Sequence, residues 1–154
     1  MESKFKIPTE TVELPSKGLL YPKDSPLAKG EIEMKYMTAK EEDILTNISK
    51  GIVIDKLLRS LIVTEGVKYE DLLVGDKNAI MVAARILSYG PEYKVVFNGE
   101  QVVIDLSQLE NIEIDPKNYE KGNKFSFTLP SGNEVVFKLI TSLVVLRPLS
   151  NNIA

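Results

Sequence analysis

Glu41-Glu42-Asp43 sets three carboxylates side by side, the residue type that binds cations or shares general acid–base work. Consecutive helical residues project about 100° apart, so these three cannot converge on one point. Their place in the first turn of an expected helix is where the macrodipole favours anions. Asp105, Glu110, Glu113 and Asp115 fall in or beside expected strands. Alternate strand residues share a face, so Glu113 and Asp115 could hold a cation loosely, but a solvated sheet face accounts for them better. Ser16-Lys17 offers a hydroxyl beside an amine, yet adjacent residues do not supply the geometry a base needs, and no oxyanion feature lies nearby. Gly75-Asp76-Lys77-Asn78 lacks the Gly-x-x-x-x-Gly-Lys-Ser/Thr spacing of a phosphate loop and reads as a capped helix start.

Composition narrows the chemistry further. The chain has no His, Cys or Trp, which removes the commonest general base and the commonest zinc ligands. Only carboxylates, Lys, Tyr, Ser and Thr remain, so neither an enzyme activity nor a cofactor is expected. A carboxylate-dependent hydrolase acting on cell wall would need two acids facing each other across a cleft, and no pair is marked by spacing. The net charge of −3, with Lys interleaved among Glu and Asp, argues against a basic face for nucleic acid. No window approaches the run of about 18 apolar residues of a membrane span. The N-terminus lacks a secretory signal, and the absence of Cys fits a reducing cytosol.

The elements that must position these groups are legible in part. At 154 residues the chain suits one domain, large enough to fold without a metal or disulfide. Residues 1–30 carry Pro8, Pro15, Pro22 and Pro26 with Gly18 and Gly30, which prevent a long helix. They read as an extended arm with a turn at Ser16-Lys17-Gly18. Leu14, Leu19, Leu20 and Tyr21 give it more apolar area than a solvated tail normally shows, and with Pro15 and Lys17 they make up six candidate partner-binding residues. The arm therefore either docks on its own domain or binds a partner through these six residues. Residues 31–149 are expected to form a single α+β domain, and 150–154 a frayed end.

Glu31 to Met37 alternates charged and apolar residues, the period of a half-buried strand. Thr38-Ala39-Lys40-Glu41 has the spacing of a capping box and opens a helix from about 39 to 50 that stops near Gly51. Ile54, Leu57, Leu58, Leu61 and Ile62 form one helical stripe, in a region ended by Gly66. Tyr69 to Gly75 is a short helical turn followed by a break. Asp76 is expected to cap a third helix from Lys77 to about Ser88, with Gly90 and Pro91 as its stop. That helix is mostly apolar and should run through the centre of the domain, with Arg85 as a structural charge paired to a local carboxylate.

Asn98-Gly99 stands between two apolar runs, the strongest short-range hairpin signal in the chain. Asn111 to Asp115 reads as an edge segment closed by Pro116. A second hairpin alternates Phe125, Phe127 and Leu129 with polar residues, turns at Pro130-Ser131-Gly132-Asn133, and returns through Val135, Phe137 and Leu139. The expected fold is α+β: a helical layer over about 38–88 packed on one antiparallel sheet built from the hairpins at about 93–106 and 124–139.

Four segments in this order resemble the baseplate hub protein family of T4-type contractile-tailed bacteriophages. They are Leu14 to Pro22 (LPSKGLLYP), Glu33 to Thr46 (EMKYMTAKEEDILT), Asp71 to Asn78 (DLLVGDKN) and Arg85 to Tyr93 (RILSYGPEY). A second Leu-Pro-Ser-Gly at 129–132 matches the same pattern, and the likeness spans roughly residues 12–140. Relatives carry a Cys-Pro-x-Cys-Gly knuckle near the first hairpin turn. Here Phe97-Asn98-Gly99-Glu100 stands in its place, so no zinc is carried over. Relatives also continue into a charged helical tail, whereas this sequence stops after Leu149 to Ala154, and no tail-borne interaction is carried over. The resemblance implies a protein that orders other baseplate or hub proteins by binding, as a hub subunit in the tail baseplate or as an assembly chaperone absent from the mature virion. It implies the host cytoplasm during assembly as its location, and it allows a homo-oligomer.

Overall fold

The computed structural model describes residues 7–46 and 52–141. The expected continuation of the first helix to residue 50, its stop at Gly51, the apolar stretch after Thr141 and the end at 150–154 lie outside the described residues.

The arm begins as a strand. β1 (Thr9–Glu13) pairs antiparallel with β2 (Glu31–Lys35), from Thr9 opposite Lys35 to Glu13 opposite Glu31. The alternation expected for β2 holds, since Ile32 and Met34 are buried while Glu31 is exposed. Between the two strands the chain makes close turns. Leu14 N donates to Gly30 O at 2.8 Å, Lys17 N to Leu14 O at 2.8 Å and Leu19 N to Ser16 O at 3.1 Å. Gly18 is required here, because a Cβ on it would sit 2.4 Å from Ala28 O at a φ of 74°. A short 3-10 helix, Pro26–Lys29, starts on Ser25, whose side chain accepts from Leu27 N.

Helices α1 (Ala39–Thr46), α2 (Ile52–Leu61) and α3 (Val74–Tyr89) follow, with the expected helical turn at Tyr69–Asp71 between α2 and α3. The exit of α2 closes the second edge of β2: Val63 N donates to Glu33 O at 3.0 Å, and Thr64 Oγ1 accepts from Glu33 N at 2.7 Å. The buried stripe of α2 is Val53, Leu57, Leu58 and Leu61, whereas Ile54 is exposed. Val53, Leu57 and Leu61 recur every four residues and so define the inward face, which turns Ile54 to the flank.

α3 starts at Val74, three residues before the expected Lys77, and Asp76 is therefore not its cap but a member of its first turn. Its end is as expected, with Gly90 N donating to Ile86 O at 2.8 Å. It does not run through the centre. Ile80 and Ala84 are its buried apolar residues and Met81 is exposed, while on the Asn78, Ala79, Val82 and Ile86 side the 106–111 segment stands off and leaves a cleft of about 400 Å³. Arg85 also departs from expectation. Its guanidinium donates to the carbonyls of Gly90 and Glu92, and it lies over the Tyr89 and Tyr93 rings rather than against a carboxylate.

Both hairpins form. β3 (Glu92–Phe97) pairs with β4 (Glu100–Asp105) across Asn98-Gly99, with Phe97 opposite Glu100. β5 (Phe125–Thr128) pairs with β6 (Glu134–Phe137), with Phe125 opposite Phe137. The molecule is thus α+β, with helices packed against small antiparallel sheets. The sheet arrangement differs in one respect: β1-β2, β3-β4 and β5-β6 are three separate two-stranded sheets. The segment expected to form an edge strand, Asn111 to Asp115, contains no strand. Pro116 instead opens a 3-10 helix (Pro116–Tyr119), with the Asp115 carboxylate accepting from Lys117 N at 3.0 Å. No strand therefore bridges the two hairpins among the described residues.

The buried hydrophobic cluster runs from Leu14 to Ala84 in sequence, and Leu87, Tyr119 and Phe125 are the later residues packed on its margin. The arm contributes Leu14, Leu20, Tyr21 and Leu27 to it. Each fully buried leucine contributes about 1.5–3 kcal/mol, so the arm is part of what stabilises the body.

Candidate functional site

A buried polar junction ties three of the sequence segments together. The Asp76 carboxylate, 1% exposed, accepts from Ser16 N at 3.0 Å, Ser16 Oγ at 2.8 Å and Tyr21 Oη at 2.5 Å. Tyr21 Oη in turn accepts from Leu73 N at 2.9 Å. A buried charge is tolerable only when hydrogen-bonded in this way, and its place in the first turn of α3 adds a favourable helix-dipole contribution. Burial, reinforced by the hydrogen bond to Asp76, raises the Tyr21 phenol well above its ordinary pKa, so it stays a neutral donor. Val74 N, left unpaired by the helix itself, donates to Ile140 O at 3.2 Å. The chain leaving the second hairpin is thereby fastened to the same helix end, where Lys77 Nζ also donates to Thr141 O.

The Ser16 hydroxyl gives its one proton to a carboxylate that already accepts from two further donors, which ties the arm to α3. Lys17 is exposed, with a φ of 48° in the turn. The phosphate-loop reading of residues 75–78 finds Asp76 aimed at the arm, and Lys77 against the Tyr69 ring at 4.8 Å. Burial lowers the Lys77 pKa, and burial together with the Asp55 hydrogen bond pushes Tyr69 up to about 12. Two clefts flank the junction. One, about 560 Å³, lies between Leu20, Val74, Tyr119 and Ile140 with Asp76 in its wall. The other, about 550 Å³, lies between Tyr21, Asp71, Lys124 and Lys138.

The arm residues named from sequence separate by burial. Leu14, Leu20 and Tyr21 are buried, Pro15 and Leu19 are half-buried, and Lys17 is exposed. Of these six residues, only Lys17 and the outer sides of Pro15 and Leu19 offer surface to a partner. Asp76, which organises the junction, gave no sequence signal beyond its place at a helix start. Its partners lie 55 and 60 residues away, a separation no local pattern encodes.

The carboxylate run splits as helix geometry requires. Glu41 is buried, and Glu42 and Asp43 are exposed. Glu41 reaches back to Thr38 N at 3.1 Å, one half of the capping box, and binds Lys35 Nζ at 2.8 Å. The other half differs, since the Thr38 hydroxyl donates to the Glu41 carboxylate at 2.5 Å instead of accepting from its backbone. Burial alone would raise the Glu41 pKa, but the Lys35 and Thr38 hydrogen bonds outweigh it and hold the carboxyl at about 2. Asp105 is likewise local, capping a turn through Ser107 N at 2.9 Å, and those bonds to Ser107 lower its pKa. Among the described residues no acidic cluster is arranged to hold a metal ion, and no helix is long and apolar enough to cross a membrane.

The hairpins present the opposite surface. Tyr93, Val95, Phe97, Val102 and Ile104 share one face of β3-β4 by register, and Phe97 is 67% exposed. On the reverse face Val96 is 75% exposed. In β5-β6, Phe127, Val135 and Phe137 share a face and all are exposed. Ile112, in the intervening loop, is 88% exposed. A comparison of the chain with protein-family models, curated proteins and solved structures found no match.

Proposed function

We propose that this protein is a baseplate hub structural or assembly protein of a contractile-tailed phage, acting by protein–protein binding. The observation that carries the reading is the ordered set of four resembling segments. Their residues meet physically: Ser16 and Tyr21 of the first reach Asp76 of the third, and Lys35, Thr38 and Glu41 of the second form one hydrogen-bonded group. These segments build the body, and they leave the binding surface elsewhere. The surface best suited to binding is the apolar face of β3-β4. Isolated two-stranded hairpins are marginal in water, and contiguous exposed apolar area marks interaction sites. A partner covering Tyr93, Phe97, Val102 and Ile104 supplies the second layer that the described residues do not give this sheet.

The test is to mix the purified chain with individual hub and baseplate proteins and look for a co-eluting complex. Phe97→Ser should weaken the complex while leaving the thermal transition of the free chain within a few degrees. A chain that ignores every hub protein overturns the reading. Mass spectrometry of purified particles then separates a stoichiometric subunit from a chaperone that departs before maturation.

A further inference from the structure

We propose that β6 pairs antiparallel with β6 of a second copy of this chain, in a register centred on Val136. The phase of the hairpin is fixed by Leu129 N donating to Asn133 O at 2.8 Å. Hydrogen-bonded pairs alternate with non-bonded ones in an antiparallel ladder, so residues 133, 135 and 137 face β5. Glu134, Val136 and Lys138 therefore turn their N–H and C=O groups to the outer edge, which no described strand pairs with and which α3 meets only beyond Lys138, where Ile140 O accepts from Val74 N. Asn123 extends the same phase one step further, its side chain exchanging hydrogen bonds with Leu139 N and O at 2.7 and 3.0 Å. Lys138 thus lies between two positions anchored on the β5 side, Phe137 and Leu139.

Two copies of this edge are self-complementary. With Val136 opposite Val136, Glu134 of each copy faces Lys138 of the other, and Val135 faces Phe137. Moving the register by one step in either direction removes the Glu–Lys match. Opposite charges directly across a strand pair are favourable and like charges unfavourable. The result is a four-stranded sheet in the order β5-β6-β6-β5, with the exposed faces of Phe127, Val135 and Phe137 made continuous across it. The stacked Phe125 and Phe137 rings, 5.3 Å apart, brace each half.

Other strand edges among the described residues lack this pairing. The outer edge of β2 is taken by the chain after α2, and on β3, whose outer edge also carries Glu92 and Lys94, Arg85 occupies the Glu92 carbonyl at that end. β1 and β4 carry acidic residues without a cation, and β5 carries none of the carboxylates that Lys124 beside it would need. The inference goes beyond the hub reading and does not depend on it, because its test uses the purified chain alone.

Sedimentation velocity over a concentration series should show a reversible monomer–dimer equilibrium. Glu134→Lys and Lys138→Glu should each weaken it roughly tenfold by setting like charges opposite. An equimolar mixture of the two variants should recover dimer, since each restores the other's match. Independently, exchange of the Val136 amide in the wild-type chain should slow as concentration rises, while that of Val135, already bonded within the hairpin, should not. A wild-type chain that stays monomeric, a dimer indifferent to both variants, or a mixture that recovers nothing overturns the proposal.

Discussion

The body, residues 9–89, and the hairpin region, residues 92–137, use the same local material to opposite ends. Both contain short antiparallel strands with alternating apolar residues. In the body, Ile32 and Met34 of β2 are covered by helices and by the arm, and are essentially inaccessible. In the hairpins the equivalent positions, such as Phe97 and Phe137, stay at the surface. What separates them is the presence of a second layer. Alternation states which side chains share a face, and only another element packed against that face turns it into core.

The comparison breaks most sharply at Asp76. Asp76→Ala leaves the Tyr21 hydroxyl and two Ser16 donors buried without their acceptor, and should destabilise the chain by about 4 kcal/mol, read by urea unfolding. Protection of the arm amides should fall with it, while those of β3-β4 change little.

Acid should act next. The Glu41 pKa is depressed from 4.5 to about 2, so the group contributes stability that is present above the unfolded value and lost as pH falls from there toward 2. The loss is up to about 3 kcal/mol, and in Glu41→Gln this pH dependence between about 2 and 4.5 should disappear.

Gly18→Ala forces a Cβ against Ala28 O at positive φ and should cost about 2 kcal/mol. Gly99→Ala, with nothing near its Cβ, suffers the backbone strain alone and should cost about 1 kcal/mol. Thermal denaturation of the two variants side by side measures the gap. At the smallest end, Val96→Thr on the outer face of β3 should stay within about 0.5 kcal/mol. A large loss there would show that this face is covered in the free chain, and the contrast between the regions would fail.

Much of the fold was readable because its signals are local. The Asn98-Gly99 turn, the alternation in β2, the Gly90 stop and the Thr38–Glu41 spacing each depend on a few adjacent residues obeying backbone sterics. The errors share another cause. Asp76 looked like a cap because Asp at a helix start usually is one, but the arm claimed its carboxylate and the helix began three residues earlier. Ile54 looked inward until Val53 took the inward line. Asn111 to Asp115 looked like a strand, yet Pro116 favoured a helical turn with Asp115 as its cap.

For this protein the sequence by itself determined the elements, their turns and the absence of His and Cys chemistry, since these depend on residue identity and neighbours along the chain. Only the tertiary structure decided that Ser16, Tyr21 and Asp76 meet, that the arm is core, and that the hairpins keep their apolar faces open. Those outcomes depend on which surfaces find partners across 50 residues or more, and free energy of that kind is set by burial in three dimensions, not by spacing.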